Sequence, residues 1–297
     1  MRLFNGKVII DEFKSRLCVE TDVIYILTHW HSDHFKGISN QLKCRVFCTY
    51  ETYVLMSSLY PDINATIVEY NSFIPGIEYQ IFILDANHMP GSMMLYFSDL
   101  KLLFTSDYRL NEKMINCLKK EHIKDNTETL VVDGTFHHPN IKFISDFEGC
   151  TLFKSIVNDM FNIQTHDVIA VGAYHIGTCH IFDLMQIRFQ LHSSLSDNLR
   201  RQIMLIYPHL ISDDSIYTIV NPSKFKNNNR AIVIIPSALW YCCDENTKHV
   251  RYAYVDKDRI RINFSRHSDY HENMQLYRLL KPINFSMNGQ TRHMLKC

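Results

Sequence analysis

The seven residues Thr28-His29-Trp30-His31-Ser32-Asp33-His34 constrain this chain more than any other stretch. An apolar run at 23–27 precedes them and a mixed segment at 35–42 follows. That pattern predicts a strand, then a loop that opens a helix. Four strong metal ligands fall within six residues of this loop. The alternative is a histidine-rich surface loop without a metal, and the further motifs along the chain argue against it.

The spacing of these ligands predicts two neighbouring metal positions. In an extended turn His29 and His31 point to the same side, because alternate residues share a face. Asp33 and His34 then start the helical turn and can face a second point in space. Zinc takes imidazole and carboxylate ligands at about 2.0–2.2 Å, and a catalytic site leaves one position for water. We therefore predict one metal position for each pair of side chains.

Two further candidate ligands stand at predicted strand ends. His88 lies in a Pro-Gly loop directly after the strand 79–84, and Asp107 follows the strand 101–105. Burying a carboxylate at a strand end is costly unless it is paired or bound to a metal, so Asp107 fits a carboxylate that bridges two metals. The alternatives are an ordinary loop histidine and a turn or capping aspartate. Arg109 either holds a loop carboxylate in place or lies on the surface.

Asp133 and His267 repeat this arrangement later in the chain. Asp133 ends the strand that begins at residue 129, and His267 follows the strand 260–264. Asp133 is a candidate acid–base partner, with a turn aspartate as the alternative. His267 is either a functional residue or a histidine in the capping loop of the helix that follows.

Composition places the chain among ordinary folded proteins of one large domain or two moderate ones. It has 297 residues, of which 46% are hydrophobic and 21% charged, and its formal net charge is zero. Without a basic excess, any nucleic-acid groove has to be a local basic patch or depend on metals. The nine cysteines are odd in number and include no CxxC pair, which favours reduced thiols in the nucleus or cytoplasm.

The sequence also predicts that the protein is neither secreted nor embedded in a membrane. The first residues lack the pattern of a signal peptide. The longest apolar run, 231–243, is too short to span a bilayer and contains Pro236.

From about residue 144 the pattern changes to that of a small αβ-layered unit with a parallel sheet. A strand at 167–171 leads through a glycine turn into a helix that ends near Met185. Such a turn presents backbone N–H groups that favour phosphate, although turns of this kind are common. The best local basic patches are 200–201 and 224–230, and charged loops are usually only solvated.

Six segments together resemble the metallo-β-lactamase-fold nucleases that carry a β-CASP domain, and within them the Artemis-like DNA cross-link repair branch. Segments 28–37, 85–92 and 104–109 resemble the first metal motifs of that family. Segments 132–139 and 264–270 resemble its β-CASP motifs A and B, and 171–177 resembles the entry to the β-CASP domain.

The resemblance implies an α/β fold, an αββα metallo-β-lactamase sandwich with an inserted αβα β-CASP domain. The implied domains are 1–143 for the first part of the sandwich, 144–242 for the β-CASP domain and 243–297 for the return segment. The active site is expected in the cleft between the two domains.

The resemblance also implies the site residues and one or two zinc ions per chain. One zinc would use His29, His31, His88 and Asp107, and a second would use Asp33, His34 and Asp107. Asp33, Asp133 and His267 are the expected catalytic residues, with His267 protonating the leaving oxygen. The expected substrate-binding residues are Tyr174, His175, Gly177, Thr178, Ser265 and Ser268.

The function implied is a DNA nuclease, either a 5′-to-3′ exonuclease or a structure-specific endonuclease, in repair or replication and including interstrand cross-link repair. Its expected partner is DNA, single-stranded or with 5′ ends, and the chain is expected to be monomeric. An RNA-processing nuclease on the same scaffold remains the alternative. A small-ester hydrolase is disfavoured by Asp133, His267 and the inserted domain, and a catalytically dead binding subunit is disfavoured by the intact ligands.

The sequence departs from the family pattern at three places, and the second and third bear on the substrate. Met89 replaces the usual cysteine after the third histidine. Thr178 and His180 stand where the DNA branch often carries lysines, which puts a 5′-phosphate pocket in doubt. Residues 288–290 lack the metal-binding histidine of the RNA branch, which favours DNA.

Overall fold

A computed structural model describes residues 1–13, 23–161, 163, 166–226, 230–238 and 251–288. Their contacts divide the chain into two compact units. The first unit combines Met1–His137 with the described residues from His271 onward, and the second comprises the described residues of His138–Tyr270. The second predicted domain boundary, 242/243, lies outside the described residues.

The first unit contains two β-sheets that follow each other along the chain. The five-stranded sheet has the order β1 (Arg2–Leu3), β2 (Val8–Ile10), β3 (Ile24–Ile26), β4 (Val46–Cys48), β5 (Ala65–Ile67), and β2 to β5 are parallel. The six-stranded sheet contains β6 (Ser72–Phe73), β7 (Ile81–Asp85), β8 (Met93–Phe97), β9 (Leu102–Phe104), β10 (Thr129–Asp133) and β17 (Asn284–Asn288), in the order β17-β10-β9-β8-β7-β6. Its helices are α1 (Tyr50–Ser57), α2 (Glu112–Lys120), α3 (Ile123–Asn126) and α7 (Tyr270–Leu280).

Apolar side chains of both sheets form the core between them. Val8, Ile10 and Ile26 of the first sheet share one buried cluster with Ile83, Leu95 and other residues of the second. The opposite face of the second sheet packs on helices, where a separate cluster joins β7, β8 and β10 to α2 and α7. The central strands β7 to β10 are therefore covered on both faces, as their near-continuous apolar sequences require.

The second unit is built on a six-stranded sheet in the order β12-β13-β11-β14-β16-β15. The strands are β11 (Val168–Gly172), β12 (Gln190–Leu191), β13 (Tyr217–Val220), β14 (Ala231–Pro236), β15 (Tyr252–Asp256) and β16 (Arg259–Ile262). All pairs are parallel except the edge pair β15–β16. The helices among the described residues of this unit are α4 (Asp146–Met160), α5 (His180–Met185) and α6 (Asp197–Ile206). Strands β15 and β16, which the prediction gives to the return segment, pair with this sheet.

The predicted fold class is confirmed. The structure is a mixed α/β fold with stacked sheets and flanking helices in the first unit and a mainly parallel sheet in the second. Among the described residues, no helix has both the length and the apolar character needed to cross a membrane.

The predicted helix at 35–42 is wrong, because the chain there forms a series of turns. Phe35 donates to the His31 carbonyl in a single helical turn that does not continue. Gly37 then takes a φ of +102°, a left-handed conformation that glycine tolerates and other residues rarely adopt. A Cβ atom at Gly37 would lie 1.7 Å from the Phe13 carbonyl oxygen, so the loop packs directly on backbone.

We expect Gly37→Ala to destabilise the protein more than Gly76→Ala. Both glycines have positive φ, but a Cβ at Gly76 meets no atom within 4 Å. The loss in the free energy of unfolding is expected to be about 3 kcal/mol for Gly37→Ala and about 1 kcal/mol for Gly76→Ala. Urea unfolding measures both, and equal losses would contradict the close packing of Gly37.

Candidate metal centre

The fold collects its candidate ligands at one end of each sheet. His29, His31 and His34 follow β3 in the first sheet. In the second sheet β7, β9 and β10 run in the same direction, so their carboxyl ends, and the loops that follow, lie at the same end of the sheet. The first two of these loops carry His88 and Asp107, and Asp133 is the last residue of β10. The two sheets meet here, since Met93 N–H donates to the Thr28 carbonyl at 3.0 Å.

Four side chains converge on one point of the first unit. Nδ1 of His31 lies 3.2 Å from Nε2 of His29 and 3.0 Å from Nε2 of His88. Oδ2 of Asp107 lies 3.6 Å from the His29 nitrogen and 3.8 Å from the His88 nitrogen. One atom from each of the four groups lies within 4.8 Å of all the others, so the group could hold a metal ion.

The donor set and its spacing fit zinc. Two ligand atoms that each lie about 2.0–2.2 Å from a tetrahedral zinc are separated by roughly 3.3–3.6 Å. The four separations above scatter about this range. Three imidazoles and one carboxylate are ligands that zinc accepts. The atoms that would bind a metal in this geometry are Nε2 of His29 and His88 and Nδ1 of His31.

A second group of ligands shares the same aspartate. Nε2 of His34 lies 3.3 Å from Oδ2 of Asp107 and 3.7 Å from Oδ2 of Asp33. Asp33 is mostly exposed, whereas the side chains of His34 and Asp107 are nearly buried. This is the arrangement that the motif predicts for a second metal, with Asp107 between the two positions.

Asp11, which sequence reasoning passed over, organises both groups. Its Oδ1 accepts from the backbone N–H of Thr28 at 2.8 Å, and its Oδ2 accepts from the Thr28 hydroxyl at 2.7 Å and lies 2.8 Å from Nδ1 of His34. Nδ1 of His29 lies 3.1 Å from the Thr28 hydroxyl. With both Nδ1 atoms in this network, Nε2 of His29 and of His34 faces the metal positions.

A sequence signal for Asp11 existed. Asp11 directly follows β2, as Asp107 follows β9 and Asp133 ends β10. Asp11 is therefore an aspartate at a strand end, like the two that the sequence predicts to be functional.

The pKa values of His29 and His34 are shifted in opposite directions by their surroundings. Burial, and then repulsion from His34 and His31, hold the pKa of His29 well below its ordinary value. His29 is therefore neutral near pH 7 and offers a lone pair to a metal. Burial also disfavours the charged form of His34, but attraction to Asp11 and Asp107 outweighs this and raises the pKa of His34 well above its ordinary value. Two carboxylates thus draw positive charge to this point.

Left-handed backbone conformations occur beside the candidate ligands. Asp11, Asn87 and Ser106 each have a φ of +52°. Such conformations cost about 1–3 kcal/mol for residues other than glycine and persist where surrounding contacts enforce them. Ser106 is held by its hydroxyl, 2.8 Å from that of Thr28. Strain of this kind next to the ligands supports a functional reason for their placement.

The His88 loop is fixed by hydroxyl groups on both sides. The Ser92 hydroxyl accepts from the backbone N–H of His88 at 3.1 Å. The Gly91 carbonyl accepts from the hydroxyls of Thr49 and Thr52 at 2.6 and 3.1 Å. A Cβ atom at Gly91 would come within 2.8 Å of both threonines, so this position requires glycine.

Asp133 and Arg109 are both buried in the first unit. A carboxylate oxygen of Asp133 lies within 4.8 Å of one of Asp107. Oδ1 of Asp133 accepts from the backbone N–H of Thr135 at 2.9 Å, so the carboxylate also stabilises its own turn. Arg109 pairs with Glu272 at 2.9 Å, which agrees with a carboxylate-holding role and not with a surface position.

The remaining predicted residues lie in the second unit. Ser265 braces His267, because its hydroxyl accepts from the His267 N–H at 3.0 Å and lies 3.1 Å from the His267 carbonyl. Ser268 is fully buried. Desolvation, and then repulsion from His267, lower the pKa of His175 below its ordinary value.

The glycine turn before α5 differs from the predicted helix start. Residues Ile176–Cys179 form a 3-10 turn before the six-residue helix α5. Gly177 is buried in that turn and Thr178 is half-buried. Tyr174 is exposed, and its hydroxyl lies 3.3 Å from that of Ser223.

Sequence comparison confirms the resemblance to the Artemis-like DNA cross-link repair branch. The chain is 28% identical to human DNA cross-link repair 1A protein over 171 residues, 29% identical to DNA cross-link repair protein SNM1 of Arabidopsis thaliana over 176 residues, and 23% identical to rat protein artemis over 312 residues. These alignments cover 55%, 54% and 88% of this chain. The chain spans only 16%, 34% and 44% of the relatives' own lengths. No protein-family model matches the chain.

A solved structure shares the fold. A protein of unknown function from Enterococcus faecalis V583 superposes with a TM-score of 0.61 at 14% identity. The superposition covers 91% of this chain and 76% of that one.

We expect Asp11→Asn to weaken zinc binding about 10- to 100-fold, the usual effect of removing a group that orients ligands. An amide in place of Oδ2 would present an N–H to Nδ1 of His34 and to the Thr28 hydroxyl, which disrupts the network that turns both Nε2 atoms inward. Competition with a chelator measures the affinity. Asp99→Asn is the control, because Asp99 accepts only an exposed backbone bond from Gln80 in the described structure; an equal loss in both variants would contradict the role of Asp11.

Proposed function

We propose that this chain is a metal-dependent DNA nuclease that hydrolyses phosphodiester bonds in DNA repair or replication. The observation that carries the proposal is the convergence of His29, His31, His88 and Asp107 on one point, with Asp33 and His34 beside it. The names of the relatives, DNA cross-link repair proteins and artemis, support a role in DNA repair, including cross-link repair.

The metal we propose is zinc, one or two ions per chain. The first would be held by His29, His31, His88 and Asp107, and the second by Asp33, His34 and Asp107. When bound, such ions lower the pKa of water so that hydroxide is available near neutral pH, and they stabilise negative charge on phosphoryl oxygens. Asp11 keeps the imidazoles of His29 and His34 turned toward these positions.

The proton steps are assigned to Asp133 and His267. Asp133 is buried beside Asp107, and we propose that it works with His267, which protonates the leaving oxygen. The part of His267 is proposed from the resemblance of its segment to the family's motif B and from the Ser265 bonds that fix its backbone.

The proposed substrate is single-stranded DNA or DNA with a free 5′ end, bound by one copy of the chain in the nucleus or cytoplasm. Tyr174 offers an exposed ring for stacking, and His175 precedes the buried turn that contains Gly177. Gly177, Thr178, Ser265 and Ser268 complete the proposed substrate-binding set. Because Ser268 is fully buried, its proposed part is to support the neighbouring His267 and not to touch the substrate. The DNA-repair names of the relatives favour DNA over RNA.

We expect purified protein to cleave 5′-phosphorylated single-stranded DNA faster than RNA of the same sequence. Chelator should abolish the activity and added zinc should restore it. Asp107→Ala should lower cleavage by at least about 100-fold, the scale of removing one electrostatic contact to the transition state, because it removes the carboxylate between the two metal positions. Gel analysis of labelled oligonucleotides measures the rates.

Two controls make the nuclease experiment decisive. Asp99→Asn alters a carboxylate of the first unit outside the centre and should cleave at the wild-type rate. RNA cleavage as fast as DNA cleavage would contradict the proposed substrate. Activity that survives both chelator and Asp107→Ala would contradict the proposed centre.

We expect His267→Ala to lower kcat about 10²- to 10⁴-fold, the usual contribution of a general acid, with zinc content unchanged. A substrate with a better leaving group, such as bis(p-nitrophenyl) phosphate, should lose much less activity. His209→Ala, which removes an exposed imidazole from the same unit, is the matched control. Equal losses on both substrates would show that His267 does not protonate the leaving oxygen.

A further inference from the structure

The first turn of α7 reaches the metal-site loops through buried hydrogen bonds. Oε1 of Glu272 accepts from Nε of Arg109 at 2.9 Å. Asn273 is fully buried, and its Oδ1 accepts from the Tyr108 hydroxyl at 2.7 Å. The amide nitrogen of Asn273 donates to the carbonyl of Asp133 at 2.8 Å. Two consecutive residues of one helix therefore bind the loops that follow β9 and β10.

Arg109 extends this connection to the loop that carries His88. Its backbone N–H donates to the Ala86 carbonyl at 3.0 Å, and its own carbonyl accepts from the Asn87 side chain at 3.1 Å. Arg109 is only 2% exposed, so these contacts are interior to the unit. One turn of α7 is thus connected to three loops that carry His88, Asp107 and Asp133.

The Asp107 loop needs such an external restraint. Oδ2 of Asp107 has to stay near several imidazoles, and the preceding residue, Ser106, is in the left-handed region. A displacement of about 1 Å at a reacting centre can cost about 100-fold in rate. Arg109 is buried and Glu272 is half-buried, and an ion pair of this kind adds little net stability over apolar packing, whereas its fixed geometry restricts the loop.

We propose that Glu272 and Asn273 are positioning residues. Through Arg109 and Tyr108 they hold Asp107 in place for metal binding, and Asn273 also holds the backbone of Asp133. The proposal rests on the proposed function of the same site and adds two residues to it. Helix α7 follows the second unit in the chain. Its residues Glu272 and Asn273, more than 130 positions after Asp133, therefore contact loops from the first part of the chain.

The test uses the full chain with Tyr108→Phe, Glu272→Gln and the double variant. Tyr108→Phe removes only the hydroxyl that donates a hydrogen bond to Asn273. Glu272→Gln keeps the shape of the side chain and removes its charge. Replacing Asn273 itself is avoided, because a cavity at a fully buried position can prevent folding. The matched controls are Tyr96→Phe, which removes a tyrosine hydroxyl bonded to the Asn126 carbonyl, and Glu128→Gln, which removes the exposed ion pair with Lys101.

Three measurements separate positioning from simple stability. Each variant is loaded with cobalt(II) for its visible absorption spectrum, titrated with zinc against a chelator, and assayed on single-stranded DNA below its unfolding temperature. We expect Tyr108→Phe and Glu272→Gln to change the cobalt band and to raise the zinc Kd about tenfold. The value of kcat should fall about tenfold while KM stays within about twofold. Both controls should match the wild type.

The outcomes are distinct. Variants with a lower unfolding temperature but a wild-type cobalt spectrum and zinc Kd would overturn the proposal, since the bonds would then only stabilise the fold. Equal effects in the Tyr96→Phe and Glu128→Gln controls would overturn it as well. An altered cobalt spectrum in a protein that cleaves no DNA even as wild type would support the positioning role and contradict the nuclease function.

Discussion

The crowding of imidazole nitrogens around one carboxylate oxygen is the constraint on which the first unit depends. Oδ2 of Asp107 lies 3.3, 3.6 and 3.8 Å from ring nitrogens of His34, His29 and His88. These side chains are largely buried, so they have lost most of their hydration. Their mutual contacts stabilise the fold only when positive charge is shared among them. The raised pKa of His34 and the lowered pKa of His29 show how the protein distributes that charge: a proton or cation is favoured beside Asp11 and Asp107, and disfavoured on the buried imidazole next to them.

Holding these groups together places demands on the backbone. Every ligand loop follows the end of a strand, where the chain is fixed on one side by sheet hydrogen bonds. On the other side the loops turn sharply, with left-handed conformations at Asp11, Asn87 and Ser106. Gly37 and Gly91 allow backbone and threonine hydroxyls to approach where any side chain would collide. The conformations of these loops are therefore fixed by the groups that pack on them, which keeps the candidate ligands close together.

Much of this centre could be predicted from the sequence, because its candidate ligands either lie within one short motif or directly follow a predicted strand. His29, His31, Asp33 and His34 lie within one short motif, and alternation along an extended turn already separates them into pairs. The helix predicted after His34 was wrong, since apolar periodicity does not reveal that Gly37 must pack against the Phe13 carbonyl. Asp11 was passed over although it stands at a strand end like Asp107. Its importance becomes visible only through its bonds to Thr28 and His34.

The sequence by itself determined the chemistry available to the chain: which residues can bind a metal, where strands end, and which family of proteins the motifs resemble. Tertiary structure alone decided which nitrogen of His29 and of His34 faces the candidate metal positions, because that depends on the partner of the other nitrogen. It also decided that Glu272 and Asn273 meet Arg109, Tyr108 and Asp133. Those contacts join residues more than 130 positions apart, and no local pattern encodes them: a hydrogen bond depends on distance in space, which only the packed sheets and helices define.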